Sequence, residues 1–137
     1  MKKIKKNLTL IIMTCSLFFI GAALNAQTFV RHYDHFVKKD RITNKISDIQ
    51  QVDLKVIFSG NDKGDIIMYF DSGLNIHADR YYKTGKIYDG VSKDGLTYRY
   101  IETYNEKKEK VIMQLFDNGV FRVHGQETTY EYQQASN

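Results

Sequence analysis

The sequence predicts an all-β fold, an antiparallel meander of seven to nine short strands that closes into a small barrel or packs as a two-layer sandwich. Three observations carry that expectation. Beyond the first 26 residues the chain is rich in tyrosine and β-branched residues, its apolar residues alternate with polar ones, and Gly, Asn and Asp interrupt the alternation at short intervals. Alternation is the signature of a half-buried strand, and those interruptions supply the tight turns that antiparallel neighbours need. Closing the sheet, or stacking two of them, hides both the unpaired edges and the apolar face.

The opening segment "RHYDHF", Arg31 to Phe36, is read as the first strand. On a helix, Phe29, Val30, Tyr33, Phe36 and Val37 would share an arc of about 120°. The content of Thr, Val, Tyr, His and Phe nonetheless favours a strand. As a strand it sets His32 and Asp34 on one face and His35 on the other. "DRITNKISDIQQ" follows as an irregular connection with room for one helical turn. "VDLKVIFS" places Val52, Leu54, Val56 and Phe58 on a single face. "GNDKGD" is a turn, and "DIIMYF" is apolar on both faces, as a covered strand would be. "LNIHADRYY" alternates Leu74, Ile76 and Ala78 against Asn75, His77 and Asp79. "KTGK" and "SKDG" read as turns bracketing a short strand "IYDGV". "LTYRYIETY" and "KVIMQLF" are joined by the polar turn "NEKKE"; "DNG" leads into "VFRVH", and "TTYEY" adds a last strand before a polar tail. "IIMYFDSGLNIH" and "VIMQLFDNGVFRVH" share a motif, for which hairpin-turn chemistry is explanation enough.

The first 26 residues have a different composition. Four lysines precede an apolar run from Leu8 to Leu24, and Ala26 offers a small residue for cleavage, the layout of a secretory signal peptide. The expected organisation is therefore a signal over residues 1–26 and one all-β domain over 27–137, secreted or periplasmic, with no integral membrane segment after cleavage. Four of the 20 basic residues lie in the signal, so the remainder carries 16 basic against 16 acidic side chains. That balance gives no reason to expect nucleic acid as a partner. The lone cysteine, Cys15, also lies in the signal, so the domain is expected to fold without disulfides or thiolate chemistry.

Candidate chemistry is sparse. His77 with Asp79, joined by a distant histidine such as His124, would give zinc acceptable donors. Scattered strand-end histidines more often only hydrogen-bond to neighbours, so no metal and no cofactor is expected. "YFDSGL" resembles the Asp-Ser/Thr-Gly signature of aspartic proteases, which implies a carboxylate pair with Asp71 contributed by each of two copies. Leu74 stands where that family has a small residue, and "KIYDG" replaces its apolar-apolar-Gly segment. A nucleophile elbow, a phosphate-cradling glycine loop and a dinucleotide fingerprint are all missing from the sequence.

Tyrosine is the conspicuous residue, ten in the chain with no tryptophan. Leu96, Tyr98, Tyr100 and Tyr104 share one face of their strand with Glu102; Tyr130 and Tyr132 share a face of theirs. Tyrosine joins a large apolar area to a hydroxyl, which suits binding surfaces and half-wet cavities. The expected site is thus Tyr98, Tyr100, Tyr130 and Tyr132, with the first pair packing inward and the second pair on the surface. Over Asp53–His124, through "DLKVIF" and "MQLFDNG", the chain resembles the short, signal-bearing β-meander proteins of bacteria, a resemblance that implies fold and export but no activity. The function expected is an exported, non-enzymatic binding or interaction module for an unknown protein or peptide, a glycan or a small apolar molecule. The alternative is a small exported hydrolase, metal-assisted through His77 and His124 or carboxylate-based through Asp71.

N-terminal sequencing of the exported protein is expected to begin near Gln27; a membrane-integral product that retains Met1 would refute the signal assignment.

Overall fold

Eight strands run in order around a closed antiparallel barrel, with every strand paired to its sequence neighbours and the first paired to the last. They are β1 (Phe29–Asp40), β2 (Gln50–Phe58), β3 (Asp65–Asp71), β4 (Ile76–Val91), β5 (Thr97–Tyr104), β6 (Lys110–Phe116), β7 (Phe121–His124) and β8 (Thr128–Gln133). The computed structural model describes residues 28–61 and 64–134, so residues 1–26, expected to be a signal, lie outside the described residues. "RHYDHF" is a strand, and the connection after β1 contains a turn and an isolated bridge between Lys39 and Ile46, with no helical turn.

An eight-stranded barrel has an interior just wide enough to be filled by side chains or to hold one small ligand. Here the middle is filled. Leu54, Val56 and Phe58 from β2, Ile66 and Met68 from β3, Met113 from β6 and Phe121 from β7 are all essentially inaccessible. Phe58 meets Phe121 edge-on at 5.3 Å between ring centroids, a favoured aromatic geometry. The alternations read from "VDLKVIFS" and "DIIMYF" therefore point as expected, with Val52, Leu54, Val56 and Phe58 inward and Met68 beside Phe70.

Two irregularities reshape the wall. Between Tyr33 and His35 the pairing with β2 slips from Leu54 to Gln51, so the two strands lose their one-to-one register in a bulge. The slip turns both Tyr33 and Phe36 toward the core. It also breaks the expected separation of Asp34 from His35, whose Nδ1 lies 2.6 Å from Asp34 Oδ1. In β4 the "KTGK" segment, expected as a turn, is a bulge within one 16-residue strand. Lys83 pairs with Thr103 and Ile87 with Ile101, leaving three β4 residues opposite Glu102 alone. Gly85 at its centre has φ 95°, a conformation that costs a residue with a Cβ but not glycine.

The start of β4 also presents the face opposite to the one expected. Leu74 is 93% exposed and Ile76 69%. Their alternates, His77 paired with Phe70 and Asp79 paired with Met68, lie on the inner face of the strand, with His77 still largely exposed at the rim. The same reversal holds in β5, where Ile101 and Thr103 point inward. The two similar hairpins, β3–β4 and β6–β7, both turn through a positive-φ glycine, Gly73 and Gly119. Met68 and Phe70 are two residues apart and share a face, whereas Met113 and Phe116 are three apart and do not. Phe116 lies outside, beneath Tyr98 and the Arg122 guanidinium.

β8 reaches only the second half of β1, from His35↔Gln133 to Asp40↔Thr128. Farther up, the hydroxyl of Tyr33 donates to the carbonyl of Gly119 in the β6–β7 turn at 2.8 Å, tying β1 across that gap. In denaturant unfolding, Tyr33→Phe is expected to lose about 1 kcal/mol, the net value of one hydrogen bond. Phe121→Ala is expected to lose about 3–5 kcal/mol through cavity formation. Equal losses for the two would contradict the placement of Tyr33's ring and hydroxyl in separate roles.

Candidate functional site

Each end of the filled barrel opens into a cavity, and the two differ in chemistry. At the end carrying the β1–β2, β3–β4, β5–β6 and β7–β8 turns, a cavity of about 470 Å³ is walled by Phe36, Phe70, Tyr81, Tyr130 and Tyr132, with Asp79 among them. The rings form a continuous set. Tyr130 stacks on Tyr132 at 6.2 Å with their planes 13° apart, and Phe36 contacts both. Phe70 joins Tyr132 at 6.4 Å and His77 at the same distance. His77 Nε2 lies 2.8 Å from Asp79 Oδ1, so the imidazole orients the carboxylate of this cup. Burial, with the Asp79 charge second, pushes the Tyr81 hydroxyl up to about 12, and burial raises that of Tyr132 further. Both phenols therefore stay neutral donors at physiological pH.

At the opposite end, a cavity of about 590 Å³ is bordered by Arg31, Lys83, Asp89 and Arg99 above apolar walls from Phe29, Phe58, Ile87 and Leu115. A third hollow, about 460 Å³, lies outside the wall, between β1 and the β7–β8 hairpin, and is bordered by Lys39, Arg41, Arg122, His124 and Glu131.

The four tyrosines expected to make one site are divided between the two sides of the wall. Tyr132 is buried at 5% exposure and Tyr130 packs against the core beside it, so the terminal pair is interior and the expectation of a surface pair is corrected. Tyr98 and Tyr100, expected to pack inward, lie on the outer face of β5. Tyr98 covers Gly90, where a Cβ would fall 2.5 Å from the ring, and Tyr100 meets the exposed Tyr88 at 6.3 Å. Their strand presents Ile101 and Thr103 to the core, which leaves tyrosines on the opposite face half-buried outside. The missed contributors are Tyr81, Phe36, Phe70 and Asp79. Tyr81 sits two residues beyond Asp79 on the same β4 face, a spacing visible in the sequence.

The residues of the alternative hydrolase are not assembled. His77 is on the inner face of β4, while His124 pairs with Ile112 on the outer face, so the wall separates them. Among the described residues no group of three or more metal-ligating side chains converges. Asp71 accepts the Gly73 backbone N–H at 2.8 Å in an exposed turn, the ordinary use of Asp before a turn glycine. Glu102 is held on the outer wall by Lys110 at 2.8 Å and by the hydroxyl of Thr84 at 3.3 Å; the Lys110 hydrogen bond lowers its pKa.

No protein-family model matches the chain, and neither a curated protein nor a solved structure is significantly similar to it. Fold and site together define a closed eight-stranded meander barrel with a plugged centre and two open, chemically distinct mouths.

His124 Nε2 lies 2.6 Å from Gln114 Oε1, an acceptor to which it donates, and Nδ1 lies 3.0 Å from the Thr129 hydroxyl. Burial, then Arg41 and Arg122, lower its pKa below the ordinary 6.5. The unfolded chain therefore takes up this proton first as pH falls, so the contribution to stability is full above 6.5 and is lost on acidification through the lower folded value. Thermal melts of the protein are expected to decline as the pH falls below about 6.5, and His124→Gln is expected to flatten that decline. An unchanged slope in the variant would assign the pH dependence elsewhere.

Proposed function

We propose that the protein is an exported binding module and that its ligand is a small apolar, ring-containing molecule held in the tyrosine mouth. The observation that carries this reading is the cup itself, five aromatic side chains around one oriented carboxylate. Concave sites lined by aromatic side chains with a few fixed polar groups are the usual form of small-molecule sites, and 470 Å³ lies within their ordinary size range. The filled mid-barrel gives the cup a rigid floor in Met68 and Val123, so little ordering accompanies binding. The neutral phenols of Tyr81 and Tyr132 and the Asp79 carboxylate would orient a ligand hydroxyl or amine, while the rings supply the contact area. Of the ligand classes expected from the sequence, a small apolar molecule fits a short aromatic cup better than an extended peptide or a glycan, which need a longer groove. The signal-like N-terminal sequence supports export, and a secreted or periplasmic location belongs to the same proposal.

The test uses N-phenyl-1-naphthylamine, a neutral ring compound that fluoresces in apolar surroundings. Saturable enhancement is expected, and Tyr130→Ala is expected to weaken it by about tenfold, in the range of a binding hot spot. Tyr100→Ala, on the outer wall, is expected to leave it unchanged. Absence of saturable binding, or equal effects of the two substitutions in proteins that melt normally, would overturn the proposal.

A further inference from the structure

We infer that the mouth at the opposite end of the barrel is a second, separate binding site, selective for an amphiphilic organic anion, a carboxylate carried on a short apolar tail. Its cations and apolar floor come from inward-facing positions, and Tyr98 and Phe116 of the outer face border it at one edge. Arg31 pairs with the buried Val56, and Arg99 and Ile101 lie on the same face of β5, so both guanidinium groups stand at the rim of the 590 Å³ cavity. Below them the surface is apolar. Phe29 stacks on Phe58 at 4.8 Å with planes 14° apart, and Ile87 and Leu115 complete the walls.

The charges at this rim are unequally committed. Lys83 donates to the carbonyls of Ser59 and Asn61, both at 2.8 Å, and so acts as a clamp on the β2–β3 turn. Asp89 accepts from Arg99 at 3.4 Å. Asp117, also at this rim, has its backbone N–H bonded to Thr97. Arg31 rests 5.7 Å from the centre of the Phe29 ring and has no ion pair among the described residues. Among the described residues of this rim, Arg99 pairs with Asp89 and Lys83 is held by backbone carbonyls, which leaves the Arg31 guanidinium lying over the aromatic wall. A guanidinium presents its donors as a planar fork that matches a carboxylate in two-point contact. A tail leaving that carboxylate enters the Phe29, Phe58 and Leu115 surface. Neutral or cationic amphiphiles would fill the same walls but leave the Arg31 fork unsatisfied or repelled. The tyrosine mouth has the opposite polarity, with a carboxylate and no lysine or arginine among its lining residues, so of the two mouths it is the arginine one that favours an anion.

Titration calorimetry with octanoate, octanol and octylamine tests this. Octanoate is expected to bind one site at least about tenfold more tightly than octanol, with octylamine weaker still, and its affinity is expected to fall as salt rises because the rim is exposed. Arg31→Gln is expected to weaken octanoate about tenfold, as loss of a charge-assisted contact does. Arg31→Glu is expected to invert the preference toward octylamine. Tyr130→Ala, at the far mouth, is expected to leave octanoate binding unchanged. Equal binding of octanoate and octanol, or loss of octanoate binding in Tyr130→Ala with retention in Arg31→Gln, would overturn the inference. Arg31 is exposed, so thermal melts of its variants are expected to match the parent. If they do not, the comparison of the three ligands on the unsubstituted protein decides the matter. Failure here with success of the naphthylamine probe would leave the tyrosine-mouth proposal standing, and the converse holds equally.

Discussion

The antiparallel pairing of β1 with β8, from His35↔Gln133 to Asp40↔Thr128, removes the two unpaired edges that a meander of this length would otherwise expose. Closure also sets the interior width, because strand number and stagger together determine barrel diameter. At eight strands the bore accepts large side chains packed against one another, and Phe58, Phe121, Met68 and Met113 occupy it fully. The β1–β8 ladder is incomplete toward the upper end. There the Tyr33 hydroxyl spans from β1 to Gly119, while its ring stacks on Phe121 and packs against Tyr132. One residue thus belongs both to the plug and to the closure.

A plugged barrel has two ends that do not communicate, and each can acquire its own chemistry. The bulge at Tyr33/His35 turns Phe36 inward beside Tyr130 and Tyr132, and the inner face of β4 adds Asp79 and Tyr81. The β4 bulge acts differently. Two extra residues opposite Glu102 leave the alternation in phase, so Ile87 and Asp89 lie on the same inner face as Tyr81 and Lys83, at the arginine mouth. Bulges are a general means of redirecting side chains at barrel rims; the one in β1 shapes the tyrosine mouth, and the one in β4 gathers Thr84 and Lys86 around Glu102 on the outer wall.

The outer wall is stabilised by local arrangements rather than by a second core. Tyr98 fills the space above Gly90 and rests beside Phe116, which Arg122 caps at 4.8 Å while pairing with Glu131 at 2.7 Å. Glu102 is enclosed by the β4 bulge and neutralised by Lys110 at 2.8 Å, with Lys86 more distant at 3.9 Å. A carboxylate so enclosed is tolerated because hydrogen bonds and opposite charge replace its water. These arrangements explain why a strand reading "LTYRYIETY" can bury its Ile and Thr and leave its tyrosines outside.

Strand composition and turn chemistry by themselves determined the all-β class, a count of seven to nine strands and most turns, because alternation and positive-φ glycines are local properties. "VDLKVIFS" was legible in full, since its apolar residues are all on one side and only one side of a barrel wall is dry. The "LNIHADRYY" and "LTYRYIETY" segments were not. Both alternate, yet a period of two states only which residues share a face, not which face is inside. Tertiary structure decided that through register. Pairing Met68 with Asp79 and Ile101 with Met113 forced His77, Asp79 and Tyr81 inward and Tyr98 and Tyr100 outward, against their apparent polarity. The same dependence hid the "KTGK" bulge, whose glycine looks like a turn until Glu102 is set opposite it. Whether a tyrosine is core, wall or cup depends on closure between residues as far apart in the chain as Phe36 and Tyr132, a separation over which no local pattern carries information.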